Sequence, residues 1–107
     1  MIFGGKKAKR ENIRTFMQRA DGPGHVTLID VRTEEEYAGG HLPHSLNIPL
    51  GSLYTLSRQV SDHDEPLYIY CQTGVRSKSA CAALIKMGYN NITDLGGILR
   101  WNGTLEK

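Results

Sequence analysis

The period of the apolar positions changes along the chain, and the changes mark its elements. Ile13, Phe16, Met17 and Ala20 fall on one helical stripe among charges, which predicts an amphipathic helix over residues 7–20. Asp21-Gly22-Pro23-Gly24 stops it with turn residues. Val26-Thr27-Leu28-Ile29 is apolar and β-branched and predicts a buried strand. Thr33, with Glu36 three residues on, makes a capping box for a short helix Glu34-Glu35-Glu36-Tyr37, whose acids suit the helix dipole and which Gly39-Gly40 ends. His41 to Ser45 is an irregular turn. Leu46-Asn47-Ile48 is a short strand that Pro49 prevents from extending. Leu50, Leu53, Leu56 and Val60 predict a second amphipathic helix over residues 50–60, and residues 61–66 a polar loop. Leu67-Tyr68-Ile69-Tyr70 reads as the central strand, and Ser77 to Met87 as a helix closed by Gly88. Asn90 to Leu95 is a last short strand, and Gly96 to Trp101 turns into a final short helix.

Strands therefore alternate with helices across short connections. This predicts an α/β fold in three layers, a mainly parallel central sheet with helices on both faces, as one domain over residues 1–107. In such sheets ligands bind at the carboxyl ends of the strands. Cys71 follows the carboxyl end of the central strand.

Composition narrows the function. Hydrophobic residues make up 39% and charged residues 22%, ordinary values for a globular protein with its own core. A net charge of +2 is too small to argue for nucleic acid, and Lys6, Lys7, Lys9 and Arg10 read as a solvated helix start. The two cysteines, Cys71 and Cys81, are too few for a disulfide-stapled secreted domain. One precedes the helix and the other lies more than a turn inside it, too far apart to bridge. No apolar stretch is long enough for a signal peptide or a membrane span, so the expected setting is a reducing cytoplasm.

The candidate chemistry sits in Cys71-Gln72-Thr73-Gly74-Val75-Arg76-Ser77. A cysteine at a strand end, a glycine-containing loop and a helix start aim backbone N–H groups and the positive helix end at one point. That environment, with the Arg76 guanidinium beside it, favours the thiolate. Gly74 lets the backbone curl, and Ser77 is expected to cap the helix and hydrogen-bond the sulfur. Gln72, Thr73 and Val75 bring no cation of their own. Cys81, among alanines and a leucine, reads as buried packing. Asp30 and Arg32 read as a buried ion pair, His41 as a structural histidine and Trp101 as a packing anchor. His25, His41, His44 and His63 lack a metal-site arrangement, and no metal or cofactor is expected.

Four blocks in order resemble the single-domain rhodaneses, a family of sulfurtransferases. They are Ile29-Asp30-Val31-Arg32 with Glu36-Tyr37; Gly40-His41-Leu42-Pro43 with Asn47-Ile48-Pro49; Tyr70 to Ser77; and Gly96-Gly97 with Trp101. The resemblance covers about residues 26–101. It implies that Cys71 carries sulfur as a persulfide, that residues 72–77 bind the sulfur and an anionic donor such as thiosulfate, and that Arg32 and Glu36 form a mainly structural pair. The acceptor would be cyanide, a thiol or a protein. His44 is bulkier than the small residue usual in that turn, which predicts a displaced turn. The family's opening strand is expected to be missing or different here. Related phosphatases place five residues between cysteine and arginine, where this chain has four. The narrower ring of N–H donors favours a sulfur over a phosphoryl group. A non-enzymatic sulfur carrier that serves a docked partner is the alternative reading, and a small phosphatase the weaker one.

Overall fold

The computed structural model describes residues 7–19 and 22–107. Lys6, named above in the basic helix start, and Ala20 and Asp21, named in the first helix and its turn, lie outside the described residues.

Five strands form one sheet, β1 (Lys9–Arg10), β2 (Thr27–Asp30), β3 (Leu46–Asn47), β4 (Leu67–Cys71) and β5 (Ile92–Gly97), in the order β1-β5-β4-β2-β3. Every pairing between them is parallel. Three α-helices, α1 (Ile13–Gln18), α2 (Glu34–Ala38) and α3 (Val75–Lys86), and 3₁₀ segments at Pro23–His25, Leu50–Arg58 and Ile98–Arg100 complete the fold. The expected mainly parallel α/β sheet is found. No helix among the described residues is long and apolar enough to cross a membrane.

The sheet separates two apolar clusters. One contains Ile29, Val31, Leu53, Leu56, Leu67, Ile69, Cys71, Ala80, Cys81 and Leu84. The other contains Ile13, Phe16, Leu28, Leu42, Tyr70, Leu95 and Ile98. Side chains alternate faces along a strand. Thus Ile69 and Cys71 of β4 join the first cluster and Tyr70 joins the second. This alternation on a strand buried from both sides is why the run Leu67 to Cys71 is continuously apolar.

Four expectations on the elements need correction. The helix expected from residue 7 starts at Ile13, because Asn12 caps it: Asn12 Oδ1 accepts the N–H groups of Arg14 and Thr15 at 2.8 and 3.2 Å. Before it, Lys9 and Arg10 pair with Thr93 and Asp94 as an edge strand, so an opening strand is present where a helix was expected. The apolar stripe at 50–60 winds as a 3₁₀ segment that still buries Leu53 and Leu56. Gly96 and Gly97 belong to β5, which continues past Leu95 through a register shift opposite Ile69 and Tyr70. The capping box at Thr33 and Glu36 forms as expected.

Candidate active site

β4 carries Cys71 to the carboxyl edge of the sheet, opposite Gly97 of β5. The residue is buried, with 0% exposed. Its sulfur is turned to the following loop, where the Gly74 N–H donates to Sγ at 3.0 Å. Gly74 has φ +107°, a left-handed conformation that brings the chain back over the cysteine and opens α3 at Val75. The N–H groups of Val75, Arg76 and Ser77 form the first turn of α3, where a helix has no carbonyl to offer them. The positive end of the helix thus lies at the loop.

Ser77 is not the helix cap. Gly74 holds that position because glycine tolerates the positive φ, and α3 begins two residues earlier than expected. Ser77 is buried in the first turn, and its hydroxyl donates to the Gly74 carbonyl at 3.1 Å rather than to the sulfur. It ties the helix to the loop. Thr73 and Val75 are exposed above the loop, and Gln72 is half-buried beside it.

Both arginines near the loop are engaged with carboxylates. Arg76 forks onto Glu36, Nη1 to Oε1 at 2.7 Å and Nη2 to Oε2 at 2.8 Å, joining α3 to α2. The guanidinium, followed by the Thr33 N–H, holds the Glu36 carboxyl down at about 2. Arg32 bonds Asp30 in the interior, Nη2 to Oδ2 at 2.8 Å, as expected of a buried pair. It also donates to Gln72 Oε1 at 3.0 Å and to the Gly40 carbonyl at 2.7 Å. The pairing of Arg32 with Glu36 that the resemblance implied is therefore replaced by two others. Asp30, two residues away on the same strand end, takes the first arginine, and the capping geometry of Glu36 aims it at the second.

Glycine shapes the wall behind the loop. A Cβ on Gly97 would stand 2.5 Å from the Gln72 carbonyl oxygen and 2.8 Å from Thr73 Cα, so the loop rests on bare backbone. Sequence reasoning placed Gly96-Gly97 in a turn and missed this contact; the only signal was a glycine pair in the order of the family's blocks. Tyr70 was also missed. Its hydroxyl accepts the Leu42 N–H at 3.1 Å and donates to Ser45 Oγ at 3.2 Å, fixing the 42–45 turn. Burial, with Asp30 nearby, pushes its phenol well above the usual range. His44 in that turn has φ +68°. His41 is structural, stacked on Tyr37 at 3.6 Å with Nδ1 2.8 Å from the Tyr37 carbonyl. Burial pushes the Cys81 thiol up to about 12, which suits packing.

The site is thus a cysteine beneath a backbone-lined loop, at the carboxyl end of a parallel strand and the head of a helix in an α/β fold. The chain matches the rhodanese-like domain family over residues 13–104. It belongs to that family of sulfurtransferases and sulfur carriers. It is 38% identical over 88 residues to a protein of Allochromatium vinosum named "Sulfurtransferase", covering 81% of each chain. It is 31% identical over 96 residues to the "Putative sulfur carrier protein YrkF" of Bacillus subtilis, covering 89% of this chain. The chain spans 51% of YrkF and 63% of YqhL from the same organism. Among solved structures, a rhodanese with anions from E. coli superposes with TM-score 0.70 at 30% identity, over 76% of this chain and 96% of that one. A rhodanese-like domain from Anabaena superposes with TM-score 0.81 at 21% identity, a likeness of fold alone.

Proposed function

We propose that this protein transfers sulfane sulfur through a persulfide on Cys71. The observation that carries the reading is the Gly74 N–H bonded to Sγ at the head of α3. An amide donor and a helix end directed at a sulfur suit an anionic sulfur chain better than a neutral thiol.

The Cys71 thiolate attacks the outer sulfur of thiosulfate or of a persulfide. A bond forms between the two sulfurs, the donor's S–S bond breaks, and sulfite or a thiolate departs with the electron pair. A nucleophilic acceptor, a thiol or cyanide, then takes the outer sulfur and restores the cysteine. The sulfur in transit occupies the ring of N–H groups from Gln72 to Ser77. Because Cys71 is covered, the loop parts above it to admit a donor. Gly74 on one side and Gly96 and Gly97 on the other give that movement backbone without side chains. Arg76, engaged with Glu36, acts in this reading by bracing the loop and adding positive potential. A cytoplasmic setting fits two free thiols, Cys71 and Cys81.

Intact mass after thiosulfate or persulfide treatment tests the proposal. The protein gains one sulfur, and Cys71→Ser gains none. Thiocyanate formation from thiosulfate and cyanide then separates a turnover enzyme from a carrier that loads but does not turn over. Rapid hydrolysis of aryl phosphates with no sulfur uptake would overturn the reading.

A further inference from the structure

A groove of about 620 Å³ lies between α3 and the edge strand β1. Along α3 it follows Lys78, Ala82 and Lys86, four residues apart and so on one stripe of the helix. Its floor is apolar: Ala82 is exposed, and Ile85 of α3 and Ala8 opposite are half-buried against the core. Its rim is cationic. Lys7 and Arg10 stand on one side, Lys78 and Lys86 on the other, all four exposed. None of these side chains has a hydrogen-bond or ion-pair partner among the described residues. Asp94 is the one carboxylate among the described residues that line the groove. It is buried and has no cation partner, its Oδ1 accepting the Gly96 N–H at 2.8 Å. Four positive charges against that one negative charge leave the groove positive by three.

We infer that this groove docks an acidic amphipathic helix of a partner protein. An apolar floor between two cationic walls matches a segment with one apolar face flanked by acids on both sides, which is the pattern of an amphipathic helix. From Lys78 to Lys86 the groove follows α3 for about 12 Å, or two helical turns. Ala82, at the middle of that run, is small enough to let a second helix approach closely. A strand added to β1 is a poorer fit, because that edge has two residues and both are charged. A lipid surface is a poorer fit too. It asks for projecting bulky side chains, and the floor is concave and built from alanine and isoleucine. The groove begins one turn beyond Gly74, whose carbonyl accepts the Lys78 N–H at 3.3 Å, so a docked partner lies alongside the cysteine loop. The inference concerns surface chemistry and stands whether or not Cys71 turns sulfur over.

The test uses two fluorescein-labelled synthetic helices, stapled so that both are helical, with leucine on one face and either glutamate or glutamine flanking it. Fluorescence anisotropy reads their affinity for the full chain. The glutamate helix is expected to bind about tenfold tighter, the summed yield of several exposed charge contacts. Its amide shift changes fall on residues 7–10 and 78–86. K78E/K86E abolishes the preference, whereas R58E/K107E, with the same change of net charge at exposed residues outside the groove, keeps it. Circular dichroism shows that each variant is folded, and K78Q/K86Q, a milder change, weakens the preference in the same direction. Equal affinity for the two helices, shift changes elsewhere, or equal loss in both charge-reversed variants overturns the inference and leaves sulfur transfer untouched. Three other occupants would overturn it as well. A lipid surface shows as binding to phosphatidylglycerol vesicles that needs Lys78 and Lys86 while the helices do not. A second copy shows as self-association that K78E/K86E abolishes. The chain's own first residues show as a tenfold gain in helix affinity on I2S/F3S.

Discussion

Gly97 shows how closely this site is built at the level of one atom. A methyl group there would collide with the Gln72 carbonyl and Thr73, both backbone, so relief requires moving the loop. Gly97→Ala is expected to cost about 1–3 kcal/mol by overpacking. It should also slow sulfur uptake at least tenfold, by about the barrier increase that corresponds to that factor. Gly51→Ala is the control, because nothing lies within 4 Å of its would-be Cβ. Urea melts and mass-detected sulfuration check both; equal behaviour of the two variants would remove the loop contact from the argument. Tyr70→Phe makes a different point. It deletes an acceptor from the buried Leu42 N–H and should lower stability by about 1–3 kcal/mol, the cost of an unsatisfied buried group, measured by the shift of the urea midpoint.

At the level of elements, the Arg76–Glu36 fork is the clasp between α2 and α3. Glu36 titrates at about 2 in the fold, held there first by Arg76, against an ordinary carboxylate value above 4 when unfolded. A depressed folded value means the stabilisation is fully present above the unfolded value. It is lost as pH falls through the folded one. Both side chains are about a third exposed, at 33% and 32%, so the pair contributes under about 1 kcal/mol. The stability gap between wild type and Glu36→Gln is expected to narrow as pH falls from 6 to 3, read from urea midpoints. A gap constant over that range would show that the fork does not sense the carboxylate's charge. Legibility divides at this same scale. The capping box, strands β2 and β4 and the cysteine loop were readable because local chemistry decides them. The start of α1 was not, since an apolar stripe cannot tell a helix from a strand residue borrowed by the sheet edge at Lys9–Arg10. The start of α3 was displaced because a left-handed glycine outranked the serine cap. The partners of Arg32 and Glu36 depend on where α2 and α3 meet, which no spacing in the sequence records.

For the whole molecule, the sheet divides the site's support between two cores. Cys71 and the inner face of α3 belong to the cluster with Leu84, whereas Phe16 belongs to the opposite cluster with Tyr70. Leu84→Ala and Phe16→Ala both remove fully buried side chains and should each cost about 2–5 kcal/mol. Their effects on chemistry should differ. A cavity under α3 loosens the helix whose first turn lies at the sulfur, so Leu84→Ala slows sulfur uptake beyond what its unfolded fraction explains. Phe16→Ala leaves α3 seated on β4 and slows uptake only in proportion to unfolding. Rates taken at low temperature, where both variants are folded by circular dichroism, separate loosening from loss of protein. Equal residual rates would mean that the loop keeps its geometry from β4 and β5 alone, with α3 supplying only a positive end.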